Sequence, residues 1–574
     1  MKAIKTFILL FVVVIFIIVQ NTTFAQDTLV VYANGPSLDL AIGNDTTATG
    51  EQAHKVYKLV SLDTTYLYAG TISVNSNIEI NGILGADGRP PTIQPAVLDD
   101  GSSPSNFIAM VGEETEGVFK NLYLLGLAPN GAANLDGIAI QISADKVRLT
   151  TDNVIFEEWL AFAIGYNGNW DKFFITNCKF RNMVHPNQWY VGEVLRNEWP
   201  GAVVTDSIVM RYNTMIGVNG YAAAPVTKFF QTYFDFSHNS VIYTFKNPFF
   251  IFNVTEAKIN DNIFFGAWSG GMSKQEMPWW DQLWSPEIGS IIDLDTLDMA
   301  KDSVFNPSDI GKDNFRMLSE AKRTIEVKNN AYFWPEEVTN LWTAWNDTAH
   351  VDSIFTPTWM NTRTTGMFTD KNTWPGLTES GNINVDPGYG ASIIDMLTNT
   401  SGKNGIGFIE WFKLIRTGAT PTEGWGYQLT QVGSEADWVP AWPLPETTDL
   451  KYTNEALKTG GTDGLPLGDP YWIIGTATGV EKVSSIPTEY VLQQNYPNPF
   501  NPATVIEYSI KATGAVKLDI YNVLGQHITT LVDLEQSAGS YKVDFNASEL
   551  TSGIYFYTLK VDNVNLTKKM MLLK

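Results

Sequence analysis

The chain of 574 residues is too long for one compact core, which predicts at least two domains or a repeat architecture. Hydrophobic residues make up 44% and charged residues 17%, a composition that argues against bulk disorder. The net charge is −23. Residues 26–486 alone carry −24, because residues 1–25 add two lysines and residues 487–574 hold seven lysines against eight acidic residues. A body this acidic repels nucleic acid and anionic lipid, so no nucleic-acid partner is expected.

The first 25 residues have the pattern of an export signal. Lys2 and Lys5 form a basic start, Phe7–Val19 is an apolar run, and Thr23–Ala25 is a small-residue cleavage site. The apolar run is shorter than the ~20 residues that a membrane-spanning helix needs. We therefore predict a signal peptide over residues 1–25, a passenger over 26–475 and no transmembrane segment in the mature chain.

Short apolar runs with period two recur along residues 147–333, and each contains an asparagine at a corresponding position. Runs this short predict strands, and their spacing without helical crossovers predicts coils of stacked parallel strands. Stacked strands repeat every ~4.8 Å, so one asparagine per coil can hydrogen-bond to the next, and asparagine also tolerates left-handed turns. We predict a structural ladder of six asparagines: Asn153, Asn177, Asn213, Asn239, Asn262 and Asn330.

The runs Tyr66–Gly82 and Pro91–Pro95 resemble the opening coils of the pectate-lyase-like superfamily. The resemblance to secreted right-handed parallel β-helix proteins covers roughly residues 60–335. It implies an all-β fold, a right-handed parallel β-helix solenoid with insertions. Gly381–Pro387 fits a late coil, and Asp463–Trp472 resembles the end of uncharacterised secreted β-helix proteins. The superfamily includes polysaccharide lyases, hydrolases and non-catalytic surface proteins, so the resemblance selects no reaction.

Trp-rich insertions begin at about residue 266. Two segments within them have helical periodicity, one from Val338 to Trp345 and one from Phe408 to Ile415. Four tryptophans lie among glycines and a proline, which is typical of a loop: Trp268, Trp279, Trp280 and Trp284. Their rings are candidate sugar-stacking faces, and the alternative is that they pack the loop against the solenoid.

The sequence contains no complete catalytic motif. Its histidines lack metal-ligand spacing. Asp293 and Asp295 share a strand face and are candidate Ca²⁺ ligands, with solvated turn acids as the alternative; no other cofactor is evident. The single cysteine, Cys178, fits a small buried hydrophobe. Three arginines are candidate bases for β-elimination, each with ion pairing as the alternative: Arg181, Arg196 and Arg211.

Residues 476–488 are predicted to be a linker before a C-terminal domain at 489–574. Three prolines between Tyr496 and Pro502 exclude a helix, and the alternating runs that follow predict a small antiparallel β-sandwich, Ig-like in type. This tail resembles the type A sorting domain of type IX secretion. The matching positions are Asn498, Pro499, Gly525, Gly553, Tyr555, Lys568 and Lys569.

The resemblance of the tail implies the type IX secretion machinery as a partner, with export to the periplasm of a Gram-negative bacterium and then to its surface or the medium. Together, these features predict a surface-displayed or released protein that binds or degrades extracellular polysaccharide. If it is an enzyme, it is a polysaccharide lyase or a glycoside hydrolase. The alternative is a non-catalytic structural or adhesive surface protein.

Overall fold

The structure is a computed structural model, and the described residues consist mostly of β-strands in large parallel sheets. The ranges that it describes are 28–61, 65–189, 191–197, 204–221, 230–249, 251, 254–273, 289–297, 320–347, 353–398, 406–422, 424–426, 444, 449–474, 481–483, 490–495, 498–511, 514–536, 539–547, 550–561 and 564–573.

Parallel strands of the body pair in long ladders, and each pass of the chain adds one strand to a ladder. The first ladder contains, in pairing order, Thr28–Val31, Val56–Val60, Ile78–Ile83, Glu116–Leu125, Arg148–Glu157, Asp171–Thr176, Val204–Arg211, Phe230–Ser237, Val254–Asn260, Thr324–Lys328 and Leu377–Ser380. Every pairing in this ladder is parallel, so the chain returns to the same edge at the start of each coil.

Two further ladders lie beside the first, and the described strands of the third belong to the coils between residues 72 and 197. The second contains Tyr66–Tyr68, Thr92–Pro95, the later halves of Glu116–Leu125 and Arg148–Glu157, and then Lys179–Met183, Thr214–Val218, Ser240–Thr244, Ile263–Phe265, Ala331–Phe333 and Ile383–Asn384. The third contains Ile72–Val74, Asn106–Met110, Ile138–Ile142, Phe162–Tyr166 and Glu193–Asn197. The chain thus passes through the same ladders repeatedly.

The later insertions contribute helices and two short strand pairs. Met272–Ser273 pairs antiparallel with Ile354–Phe355, and Ser290–Ile292 pairs parallel with Thr358–Met360. The described helices of the body are Leu38–Ala41, Glu336–Asp347, Thr362–Thr369, Ala391–Thr398, Phe408–Arg416 and Tyr471–Ile474, with short 3₁₀ turns at Glu320–Lys322 and Glu455–Leu457. The two segments with helical periodicity are therefore confirmed as helices.

Apolar residues form two large clusters around the second ladder, besides a small one around Tyr123. One fills the interior between the ladders, where the rings of Phe156 and Phe180 stack 4.9 Å apart in successive coils. The other lies on the outer face of the second ladder, where Ile242 and Phe265 pack with Trp342 and Trp411 of the helices. Strands such as Ser240–Thr244 are buried on both faces, which explains why they are near-continuous apolar runs while first-ladder strands alternate.

From the strand Glu116–Leu125 onward, one residue in each described coil adopts a left-handed conformation immediately after the first ladder. The residue just before each left-handed position pairs with the corresponding residue of the next coil, in a series that runs from Lys120 through Asp152 and Thr176 to Ser380. The left-handed residues, with φ between 51° and 69°, are Asn121, Asn153, Asn177, Tyr212, His238, Asp261, Asn329 and Gly381. Asparagine and glycine suit this position because they tolerate positive φ better than other residues do.

The asparagine ladder occupies the next position in the coil. In each pair of neighbouring coils, an asparagine backbone N–H and its Nδ2 both donate to the Oδ1 of the next asparagine, with distances of 2.8–3.2 Å. The members are Asn213, Asn239, Asn262, Asn330 and Asn382. Asn382 was not among the predicted members, although its segment had been predicted to be a late coil.

Asn153 and Asn177 were wrongly assigned to this ladder. They occupy the left-handed position one residue earlier, where Asn153 donates from Nδ2 to Asn121 Oδ1 of the preceding coil at 2.9 Å and the exposed Asn177 donates to Asp152 Oδ1 at 2.7 Å. The corresponding ladder positions hold Val154 and Cys178, both fully buried. Burial raises the pKa of the Cys178 thiol to about 12, and its backbone N–H donates to Asn213 Oδ1 at 2.9 Å. Cys178 is therefore a packing residue at the end of the ladder.

Replacing Asn239 by alanine should lower the free energy of unfolding by ~1–3 kcal/mol, because the donors of Asn213 and the carbonyl of Met210 lose their buried partner. The matched control is Asn177→Gly, which keeps the left-handed conformation and removes only an exposed side chain, with an expected change within ~0.5 kcal/mol. Urea unfolding of both variants measures the difference. Equal losses in the two variants would contradict the distinction between ladder and corner positions.

The C-terminal tail consists of two four-stranded antiparallel sheets with their own apolar core. One contains Glu481–Val483, Gly539–Asn546, Ala503–Ile510 and Val491–Leu492, and the other His527–Gln536, Gly514–Asn522, Gly553–Val561 and Val564–Leu572. Glu481–Val483 lies within the predicted linker 476–488, so part of that linker is an edge strand of the tail.

Candidate functional site

A concave site lies near the last coil of the body, where the first ladder ends. Its volume is about 430 Å³, which is within the range of small-ligand pockets. The walls come from the segment around Thr358–Met360, the helix Thr362–Thr369 and the last first-ladder strand, Leu377–Ser380. The lining residues are Trp359, Met360, Thr365, Phe368, Thr369, Lys371 and Glu379.

Trp359 is held in this wall by aromatic packing. Its ring lies 4.6 Å from that of Tyr332 with an angle of 5° between the planes, and 5.7 Å from that of Phe264. These contacts attach the indole to the interior column of aromatic residues. Since one face is stacked and the side chain is only partly buried, the ring forms an apolar wall at the pocket.

The polar part of the pocket combines hydroxyls with both signs of charge. Thr365 and Thr369 are one helical turn apart and exposed, and Glu379 is exposed on the last strand. Lys371 donates from Nζ to the carbonyl of Leu377, and this bond fixes the ammonium group near the strand. A wall of aromatic and aliphatic side chains beside such groups suits a ligand with an apolar face and several hydroxyls.

Of the four tryptophans predicted from the sequence as sugar-stacking candidates, the structure describes Trp268, which does not line this pocket. Trp268 is 3% exposed, and its indole N–H donates to the carbonyl of Gly271 at 3.0 Å. It is a packing residue, because a buried ring offers no face to a sugar. Trp279, Trp280 and Trp284 lie outside the described residues. Trp359 was not predicted from the sequence, because it is not part of a glycine-rich segment or a repeated pattern.

The candidate calcium ligands bind a side-chain cation instead. Arg363 donates to Asp293 Oδ1 at 2.7 Å and to Asp295 Oδ2 at 3.2 Å, and Asn361 also donates to Asp293. Burial raises the pKa of Asp293 to about 6, against the opposing effect of Arg363. The described part of the chain shows no group of three or more His, Cys, Asp or Glu residues with the geometry of a metal site. The pair therefore fits a structural ionic contact better than a Ca²⁺ site.

Each of the three candidate catalytic arginines is paired with a buried carboxylate. Arg181 contacts Glu157 at 2.9 Å, and Arg196 contacts Glu193 at 2.9 Å. Arg211 binds Asp235, which also accepts hydrogen bonds from Tyr233 and Ser237. A guanidinium so paired keeps its proton, so these arginines are unsuited to act as bases. Ion pairing, the alternative to a role as bases, describes all three arginines, and their carboxylate partners are buried.

The closing segment, residues 449–474, is bound across the second ladder by polar contacts. Asp469 accepts from Thr214 Oγ1 at 2.7 Å, and the indole N–H of Trp472 donates to the same hydroxyl at 2.6 Å. Lys179 lies 4.0 Å from the ring centre of Tyr471. The sequence Asp463–Trp472, predicted as a turn-rich terminus, thus covers an outer face of the second ladder.

His238 joins this segment to the left-handed corner of the coils. Its Nδ1 lies 3.0 Å from the carbonyl oxygen of Pro466, and its Nε2 lies 3.1 Å from Asp463 Oδ2 and 3.6 Å from Asp261 Oδ2. Both ring nitrogens face acceptors, so the ring is best satisfied as a cation. Burial lowers the pKa of His238, but Asp463 and Asp261 outweigh burial, and the pKa is raised above its ordinary 6.5. The ring of Tyr212 stacks against that of His238, with 5.4 Å between their centres, and Asp469 acts at longer range.

The attachment of the closing segment should therefore weaken as the pH rises. A histidine whose folded pKa is raised stabilises the protein fully below its ordinary pKa, 6.5, and loses that effect as the pH passes the folded pKa. On the acid side the effect is lost as the two carboxylates become protonated: first Asp261, whose pKa burial raises above its ordinary 3.8, and then Asp463, whose pKa is lowered although burial opposes this. The difference in unfolding free energy between the wild type and His238→Asn should be largest between these limits and shrink at alkaline pH. Asparagine fits the left-handed position, so a difference independent of pH would contradict this role.

Some of the tail residues that match the sorting-domain pattern connect the start of the domain to its last strand through hydrogen bonds. Asn498 accepts the backbone N–H of Met571 at 2.8 Å, and the Phe500 backbone exchanges hydrogen bonds with Met571 and Leu573. Pro499 follows Asn498 in this connection. Gly525 has φ of 76° in a hairpin turn, and Gly553 begins a central strand. Tyr555 is buried and donates to the carbonyl of Thr551, whereas Lys568 and Lys569 are exposed on the last strand.

Comparison with known families identifies this tail. Residues 494–573 match the family model described as Secretion system C-terminal sorting domain. The tail is a sorting domain. It supports export through type IX secretion, and the protein is accordingly a secreted or cell-surface protein with the secretion machinery as a partner. Comparison with curated proteins and with solved structures gave no match.

No helix in the described ranges is long and apolar enough to cross a bilayer.

Proposed function

We propose that the body is a right-handed parallel β-helix that binds extracellular polysaccharide at the cell surface or after release. The parallel ladders and the recurring corner and asparagine positions support the β-helix. The two antiparallel sheets of the sorting domain support an Ig-like sandwich. The signal peptide over residues 1–25 would bring the chain to the periplasm of a Gram-negative cell before the sorting domain acts.

The observation that carries the binding proposal is the pocket beside Trp359. Sugar rings present an apolar face and a rim of hydroxyls, and this pocket offers an indole and a Phe368 ring beside Thr369 and Glu379. Its volume accommodates a small saccharide unit rather than a long chain. The acidic body favours neutral polysaccharide over an anionic one, because a polyanion would be repelled.

Binding is favoured over hydrolysis by the charges in the pocket. Glycoside hydrolysis by the common mechanisms requires two carboxyl groups on either side of the bond. Glu379 is the carboxylate among the described lining residues, and Lys371 is already bound to the Leu377 carbonyl. These residues therefore support a non-catalytic adhesive protein that binds polysaccharide.

Changing Glu379 and Thr369 together to alanine should weaken polysaccharide binding about tenfold, because each removes a hydrogen-bonding group from the pocket. Both side chains are exposed, so the melting temperature should stay the same within a few degrees. The measurement is affinity electrophoresis of the purified protein in a panel of neutral polysaccharides. Thr378→Ala, an exposed change beside Glu379 but outside the lining, is the control. If every polysaccharide that slows the wild type in the gel also slowed the double variant, the assignment of this pocket as the binding site would be contradicted.

Deleting residues 487–574 should leave the body folded in the periplasm and abolish its delivery to the surface. The sorting domain has its own apolar core, so its removal takes no residue from the two clusters of the body. Cell fractionation in a bacterium with type IX secretion measures the distribution. Normal surface delivery of the truncated chain would contradict the role of the tail in export.

A further inference from the structure

The hairpin turn Asn522–Gln526 of the sorting domain holds two apolar side chains in solvent. Val523 is 63% exposed and Leu524 is 79% exposed, the highest values among the large apolar residues in the described ranges. Turn tips are usually built from polar residues and glycine. Two exposed aliphatic side chains at a tip are therefore unusual and mark a surface for interaction.

The turn is rigid although it is exposed. Asn522 Oδ1 accepts the backbone N–H groups of Leu524 and Gln526, each at 3.0 Å. The side chains of Asn522 and Gln526 are joined at 2.8 Å, and two backbone hydrogen bonds close the loop. Gly525 supplies the positive φ of 76° that the turn needs. The apolar tip is thus held in one conformation before any partner binds, which lowers the ordering cost of association.

The same end of the sheet carries further exposed apolar groups. Asn522 is in register with Tyr555, which pairs with Met570. The neighbouring residues Ile554 and Leu573 are exposed at this end. Val523 and Leu524 therefore lie at the edge of an apolar end surface formed by three adjacent strands, not on an isolated loop.

We propose that this end surface, with Val523 and Leu524 as its most exposed apolar residues, is where a component of the type IX secretion machinery binds the sorting domain through an apolar cleft. The inference rests on the assignment of the tail as a sorting domain, whose role requires recognition by that machinery. Charge supports the same partner. Lys568 and Lys569 are exposed on the strand that ends at this surface, so an acidic rim around the cleft would attract the tail and repel the body of charge −24.

The test is export of the full chain carrying Val523→Ser and Leu524→Ser in a bacterium with type IX secretion. Loss of the apolar contacts should reduce the fraction at the surface or in the medium about tenfold, with the protein accumulating folded in the periplasm. Two controls are matched. Val523→Ile with Leu524→Met keeps the apolar tip and should export normally, and Leu40→Ser makes the same chemical change at an exposed residue of the body.

The outcomes distinguish a failure of the docking surface from a failure of the sorting role of the tail. Normal export of the double serine variant, in cells where deletion of 487–574 blocks export, overturns the docking surface and leaves the sorting role intact. Normal export after the deletion overturns the sorting role itself. Resistance of the periplasmic protein to added protease shows that the serine variant is folded, and Leu524→Ser alone replaces it if the double variant is degraded.

Discussion

Parallel stacking of one coil on the next is the constraint on which the rest of the body depends. Strands in a sheet lie ~4.8 Å apart, so every turn must bring the chain back to the same place one strand spacing later. The same backbone conformation then recurs at the same position in successive coils, as the left-handed residues from Asn121 to Gly381 show. A buried polar side chain at the following position finds an identical neighbour above and below it. The Asn213–Asn382 ladder is the consequence.

The coils also determine where the rest of the chain can pack. Because the outer face of the second ladder is apolar, it must be covered, and the helices with Trp342, Trp411 and the closing segment cover it. The outer face of the first ladder is polar, with inter-coil ion pairs such as Arg211 with Asp235. The helix Thr362–Thr369 and Trp359 pack against the interior at the last coils, and the pocket lies between them and the last strand. Its location thus follows from how the parallel ladders are covered at that end.

Buried charge in this protein is used to join segments rather than to carry out chemistry. Glu157, Asp235 and Asp293 each face an arginine from another coil or insertion, and removing one partner would leave an uncompensated buried charge. His238 acts in the same way between the corner column and the closing segment. Two of these contacts contain a group that titrates near neutral pH: Asp293, whose pKa is raised to about 6, and His238, whose pKa is raised above 6.5. These two contacts are therefore the ones sensitive to the pH outside the cell.

The sequence by itself determined the features that depend on local pattern. Period-two runs specify the strands, the helical periodicity specifies Glu336–Asp347 and Phe408–Arg416, and the residues around Asn498 and Gly553 specify the sorting domain. Such signals are short-range, because side-chain direction alternates along a strand and repeats every 3.6 residues along a helix. Asn177 and Asn239 look alike in the sequence, yet one is an exposed corner and the other a buried ladder residue. Only the register between coils, a shift of one residue, distinguishes them. The tertiary structure likewise decided that Trp268 is buried, that Arg363 contacts Asp293 and that Trp359 lines a pocket, since each depends on residues brought together from distant parts of the chain.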